Sequence, residues 1–266
     1  MSLVKQELPP SVAVEQRDQI AVVTLDRAHK RNALDDPTIR ALSAFFEAPP
    51  EWAKAVVLAA SGEHFSAGLD LSVLGNRDAV GGLHHSRTWH EAFRRIESGA
   101  LPVIAVLKGA VVGGGLELAA AAHLRVAEDS TFFALPEGQR GLFVGGGGSV
   151  RIPRLIGTHR MTDMMLTGRV LGADEGAAAG LANYRVGDGE GLDKALELAG
   201  KIAENSPVTN YAIIQALPRI AEASPEVGLL MESLMAAVAQ SSQEAKDRMN
   251  AFLEGRAAKV DAEAAR

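Results

Sequence analysis

Three short apolar runs rich in β-formers, IAVVTL at 20–25, AVVLAA at 55–60 and PVIAVLK at 102–108, alternate along the chain with stretches of helical periodicity. That alternation argues an α/β fold. The helix before the third run is legible, because Trp89, Phe93 and Ile96 fall on one face while His90, Glu91, Arg94 and Arg95 fall elsewhere. Its apolar face is expected to pack on the sheet or to line a pocket. Glycines at 113–115 then open LELAAAA, which reads as a buried helix, and LRVAE and TFFAL read as two short strands. From about residue 200 onward strand signals stop and helix starts recur: Ser206-Pro207, Ser224-Pro225, and Ser241 followed by Glu244 as a capping box. The apolar positions Val227, Leu230, Leu234 and Val238 make a helical stripe that can pack on the core or bury against another subunit. The expected division is a core over 1–200 and a helical region over 201–266.

The 266 residues suffice for a sizeable core, and the net charge of −6 gives no general electrostatic reason to bind nucleic acid or an anionic membrane. Absence of cysteine excludes disulfide frameworks, thiolate zinc sites and cysteine nucleophiles, and is compatible with a reducing cytoplasm. No stretch resembles a signal peptide, and no apolar run approaches the ~20 residues needed to span a bilayer. The expected location is therefore the cytoplasm. His84, His85 and His90 lack a partner at ligand spacing, so a solvated helix face is expected there rather than a metal site. Neither a G-x-S-x-G elbow nor a P-loop lysine pattern occurs, which leaves serine-hydrolase and nucleotide-hydrolase chemistry without support.

The candidate chemistry lies in two glutamates. Glu117 sits just inside the helix opened by the glycines at 113–115, where unpaired backbone N–H groups and the helix dipole meet, and its neighbours make that helix apolar all round. A buried carboxylate there needs a partner or a function. Glu137, after Pro136, is as readily an exposed structural residue as a functional one. The segment HFSAGLDL at 64–71 follows a strand and is weak evidence alone; beside the glycines at 113–115 it gains weight, since an oxyanion hole needs two donors converging on one oxygen. A dinucleotide-binding reading of the same glycines fails in detail, because Leu118 occupies the place of the third glycine and the turn after Lys108 is too long. The glycines at 145–148 form either a flexible loop or a place where backbone lies against a ligand or another element.

Taken together, HFSAGLDL at 64–71, GGGLELA at 113–119, Pro136-Glu137, the glycines that follow and IPRLIG at 152–157 resemble the crotonase family, whose best-known members are enoyl-CoA hydratases. LDRAHKRNAL at 25–34 is similar to the family's early CoA-binding stretch, and AFLEGRAAKV at 251–260 to its C-terminal helix. The resemblance implies a spiral of ββα units with a helical C-terminal region that mediates homotrimers, often paired into hexamers. It implies an acyl-CoA ligand with no separate cofactor, coenzyme A being part of the substrate; from the net charge and the lack of a spanning run, no nucleic-acid or membrane partner is expected. Under it, the N–H groups of Leu69 and Gly114 hold the thioester oxygen, Ala67, Asp70 and Leu71 lie along the CoA loop, and Arg31 approaches the pantetheine or phosphates. Glu117 and Glu137 match the glutamates that add water to a 2-enoyl thioester, and Gly145 matches a glycine that positions that water.

A subgroup that shifts dienoyl double bonds carries an aspartate where this chain has Gly145, which argues for hydration. Val144 departs from the proline common in hydratases, and 72–96, expected to shape the acyl pocket, is the least family-like stretch. The alternatives are another reaction of the family, namely double-bond isomerisation or retro-aldol cleavage of a hydroxyacyl-CoA, or a non-catalytic acyl-CoA- or RNA-binding paralogue.

Overall fold

The computed structural model describes residues 8–73, 75 and 77–256. It opens with an antiparallel hairpin of β1 (Val12–Arg17) and β2 (Ile20–Leu25), turned by Asp18 in a left-handed conformation, φ 51°. There follow α1 (Asp36–Glu47), β3 (Ala55–Ala60), α2 (Ala79–Glu97), β4 (Val103–Leu107), β5 (Ala110–Val112), α3 (Gly114–Ala119), β6 (Leu124–Glu128) and β7 (Phe132–Ala134). The unit is completed by α4 (Gly148–Ile156), α5 (Thr158–Thr167), β8 (Leu171–Gly172), α6 (Ala173–Ala179), β9 (Tyr184–Val186) and α7 (Gly191–Ala203). The α/β expectation holds.

One sheet runs β1-β2-β3-β4-β6-β9 and is parallel from β2 onward; a second runs β5-β7-β8. Single parallel bridges, Ser66 to Val111 and Leu34 to Leu69, continue the second layer past β5. Each rung thus lays a strand in the first sheet, a strand or bridge in the second, and then a helix. All six residues of β3 are buried because the large sheet is covered on both faces. Ile20, Val22, Val57, Ile104 and Val106 pack with Ala195, Leu198 and Ala199 of α7, while Val23, Leu25, Val56, Leu58 and Leu107 face the other core with Leu42, Phe45, Phe93 and Ile96.

Local chemistry sets the helix starts. Asp35 accepts the Thr38 N–H at the head of α1, and Asp78 accepts the Gly81 N–H at the head of α2. Along α2 the expected face, Trp89, Phe93 and Ile96, is buried with Ala92. Some details differ from the sequence reading. The helix after the glycines ends at Ala119, so the alanines that follow form a turn, and β1, whose residues are mostly exposed, gave no apolar run to mark it.

A second compact unit begins at Glu204 and contains α8 (Pro207–Glu222), α9 (Pro225–Ser241) and α10 (Gln243–Leu253). Ser206 and Ser224 precede prolines in the first turn as expected, whereas α10 is capped by Ser242, which accepts the Ala245 N–H, and not by Ser241. Val227, Leu230, Leu234 and Val238 of α9 are 48–61% exposed in the single chain. No helix among the described residues is long and apolar enough to cross a membrane.

Candidate active site

Two loops meet where the two layers of strands come together. The Ser66 N–H donates to Ala110 O (2.9 Å) and the Val112 N–H to Ser66 O (3.0 Å), which holds the 64–71 segment beside β5 and the glycines after it. On its other side Gly68 O accepts from the Leu34 N–H (2.7 Å) and the Asp70 N–H donates to Leu34 O (2.8 Å). Alternation along this extended segment turns the Leu69 N–H away from Leu34. A methyl group on Gly68 would stand 2.6 Å from Val112 O and 3.1 Å from Gly114 N, and φ of +89° already favours glycine there. One on Gly114 would lie 3.3 Å from Leu69 N. Glycine at both places therefore lets the two backbones approach. Among the described residues, neither the Leu69 N–H nor the Gly114 N–H donates to a protein acceptor.

Glu117 follows one turn into α3 and is 3% exposed. Its Oε1 accepts the N–H groups of Gly146 and Gly148, each at 2.8 Å. This accounts for Gly146 and Gly148, where the backbone lies against another element. A Cβ on Gly148 would stand 2.7 Å from Glu117 Cγ, and one on Gly146 would stand 2.9 Å from the Phe93 ring. Burial pushes the Glu117 carboxyl above its ordinary value, while the N–H groups of Gly148, Gly146 and Gly145 and the charge of Arg151 oppose that rise.

Glu137 lies after β7 and is half-buried, with its Oε2 buried and without a hydrogen-bond partner. Its pKa is also raised, first by burial and further by the negative charge of Glu117. Both glutamates line one cavity of ≈ 340 Å³ together with Ala67, Leu69, Gly114 and Gly145. Trp89 and His85 of α2 and the residues Leu142, Phe143 and Val144 complete a mostly apolar wall. Two unpaired N–H groups and two proton-hungry carboxyls in an apolar cavity can polarise a carbonyl and move protons next to it.

The enoyl-CoA hydratase/isomerase family model matches residues 15–262. The chain belongs to that family. It is 32% identical to the short-chain-enoyl-CoA hydratase of Clostridium acetobutylicum over 92% of this chain and 95% of that one. It is 29% identical to the 2,3-dehydroadipyl-CoA hydratase of Escherichia coli over 91% of this chain and 95% of that one. Among solved structures, a protein of Rhodopseudomonas palustris provisionally assigned as an enoyl-CoA hydratase is 58% identical with a TM-score of 0.90, covering 94% of this chain and 97% of that one. The neighbours give the α/β architecture its name, the crotonase fold.

For this crotonase-fold chain, the structure brings most sequence-predicted residues together and sets two apart. Glu117, Glu137, Leu69, Gly114, Ala67, Leu71 and Gly145 line the cavity; Asp70 and Arg31 do not. Asp70 instead ties two loops, its Oδ2 accepting from Arg27 Nη2 (3.0 Å) and Lys30 Nζ (3.2 Å) and its Oδ1 from Ser72 Oγ (2.6 Å). Arg31 ends a short 3₁₀ turn with φ 51° and an exposed side chain, and its carbonyl accepts the Ala67 N–H at 2.9 Å.

Several lining residues carried no sequence signal of their own. His85 was expected on a solvated face, yet it lines the cavity, with Nε2 3.1 Å from Asp36 Oδ1. Burial lowers its pKa, and the nearby Arg77 adds to that. Ser86 donates to Gly145 O at 2.6 Å, and Arg140 stands at the rim. The position of Trp89 on the apolar stripe of α2 was the one available pointer to that wall.

Proposed function

We propose that the chain is an enoyl-CoA hydratase-like lyase that adds water across the 2,3-double bond of a small or medium 2-enoyl-CoA thioester. The observation that carries this reading is the meeting, in one cavity, of the free Leu69 and Gly114 N–H groups with the carboxyls of Glu117 and Glu137. In the proposed reaction the two N–H groups hold the thioester oxygen, making C3 electrophilic and stabilising enolate-like charge; one such donor typically contributes about 3 kcal/mol to transition-state stabilisation. Glu117, whose Oε1 already accepts two backbone N–H groups, is favoured as the carboxylate that takes a proton from water. Glu137, with an unpartnered Oε2 and the Glu117 charge nearby, is favoured as the acid that protonates C2. Hydroxyl thus joins C3 and a proton joins C2.

The hydratases among its relatives support the reading. The reaction uses no cofactor, since coenzyme A enters as part of the substrate. Ala67 and Leu71 lie along its proposed path, with Asp70 bracing the loop and exposed Arg31 free to meet pantetheine or phosphate. The exposed apolar stripe of α9 supports a role for the helical region in homotrimers or their hexameric pairs. Purified protein should remove the conjugated thioester absorbance of crotonyl-CoA or of other members of an enoyl-CoA panel. Binding of these thioesters without hydration of any would sink the assignment.

A further inference from the structure

The turn that carries the Glu117 N–H donors is itself held from behind. Side chains hold two of its carbonyls: Gly145 O accepts from Ser86 Oγ at 2.6 Å, and Gly146 O accepts from Arg151 Nη1 at 3.1 Å. Arg151 is buried, and its other nitrogens grip Glu97 Oε2, Nε at 2.9 Å and Nη2 at 2.8 Å. A side chain on Gly147 would stand 2.4 Å from Arg151 Nη1, so the guanidinium lies flush against the turn. A planar guanidinium with five donors suits such a post, because it can hold a carbonyl and a carboxylate at once.

We propose that Arg151, anchored by Glu97 and assisted by Ser86, is a positioning residue that fixes the 145–148 turn so that its N–H groups stay on Glu117. Arg151 does not line the cavity; it acts on Glu117 by holding that turn, and its charge also favours the Glu117 carboxylate. The Gly145 carbonyl held by Ser86 shares its peptide plane with the Gly146 N–H, and the Gly147 carbonyl, which accepts the Val150 and Arg151 N–H groups, shares its plane with the Gly148 N–H. The Arg151 side chain fixes the peptide between them, so both donors stay aimed at Oε1 and favour the carboxylate form of Glu117 against its burial. The other charged or titratable groups around Glu117 are Glu137, with Arg140 beside it, and His85 on the α2 wall; Glu97 and His90 stand behind the turn.

The assignment rests on the hydration reading only for its kinetic test, so two readouts are needed. The first is the pH titration of Glu117 by carbon-13 carboxyl NMR of glutamate-labelled protein, with Glu117→Gln identifying the resonance. In Arg151→Met/Glu97→Gln, where no buried charge is left alone, the Glu117 titration should move to higher pH. Arg151→Lys, which keeps the charge and loses the fork, and Ser86→Ala should each move it less in the same direction, a shift that loss of the Arg151 charge alone would not produce. The second is kcat/KM against pH on the best enoyl-CoA: the acid limb should move up with KM unchanged, giving about ten-fold lower activity at its acid end. If the double variant does not fold, Ser86→Ala carries the test. Folded variants with an unmoved Glu117 titration would overturn the assignment. A moved titration in a protein that hydrates no thioester would leave the positioning role standing and remove the hydration reading.

Discussion

Asp70 and Glu137 are two acidic side chains of one structural unit with opposite provision. The Asp70 carboxylate receives two cations, Arg27 and Lys30, and both the hydroxyl and the N–H of Ser72. The Ser72 hydrogen bond, more than any other contact, holds its pKa well below the usual carboxylate range, against the effect of burial. Glu137 has an oxygen with no donor at all, and burial pushes its pKa the other way. The difference teaches how to read acids in such a fold: a carboxylate saturated with donors is a tie between loops, and one starved of them is available for proton transfer. Glu117 lies between the two, with one oxygen served by backbone and the charge otherwise buried.

The strongest way to break this contrast is to neutralise the acids one at a time. Glu117→Gln and Glu137→Gln should each lower hydration by about 10²–10⁴-fold, the range for losing a positioned acid or base. Asp70→Asn should leave kcat within a few-fold. Steady-state kinetics on one enoyl-CoA checks all three. Survival of activity in one of the two glutamine variants would favour a one-base double-bond isomerisation over hydration, and a collapse of kcat in Asp70→Asn would abolish the distinction drawn above.

Stability should show the reverse order. Removing the Asp70 charge leaves Arg27 and Lys30 short of a partner, and breaking a largely buried charged contact of this kind costs about 2 kcal/mol. Urea melts of Asp70→Asn should show that loss at neutral pH. Because the folded pKa of Asp70 lies below its ordinary 3.8, its contribution is present above that value and fades as pH falls through the folded pKa. The gap between wild type and variant should close only in strong acid.

How much of this was legible in the sequence depends on whether the signal is local. The central strands β2, β3 and β4 of the large sheet were visible because burial on both faces makes them apolar, as in AVVLAA, whereas the mostly exposed β1 and β9 were not. The loops at 64–71 and 113–115 were visible because close backbone approach demands small residues. The role of Asp70 was not, since it depends on Arg27 and Lys30, which a loop some forty positions earlier carries into contact. The Arg151 brace and the His85 wall were hidden for the same reason. Their partners Glu97 and Asp36 are tertiary neighbours about fifty positions away, and neither residue type announces such a contact. The four glycines at 145–148 left two alternatives open until the structure placed the Glu117 carboxylate against them.

The smallest effect gives the sharpest test of the contrast, because its sign is unusual. Glu137 has a folded pKa above its ordinary 4.5, so in the window between the two values the folded state holds more protons than the unfolded chain. Stability contributed by the protonated carboxyl is fully present below 4.5 and declines as pH rises through the folded pKa. Glutamine has the same shape and no charge to desolvate, so Glu137→Gln should be more stable than wild type at neutral pH by about 1 kcal/mol, a gain typical of neutralising a strained functional site. In acid the two proteins should melt alike, since both then carry an uncharged side chain. Calorimetry across that range would show the melting temperature of Glu137→Gln rising above wild type with pH while that of Asp70→Asn stays below it. A Glu137→Gln protein that melts lower than wild type at neutral pH would mean that the Glu137 carboxylate is supported in the fold, and the contrast with Asp70 would fail.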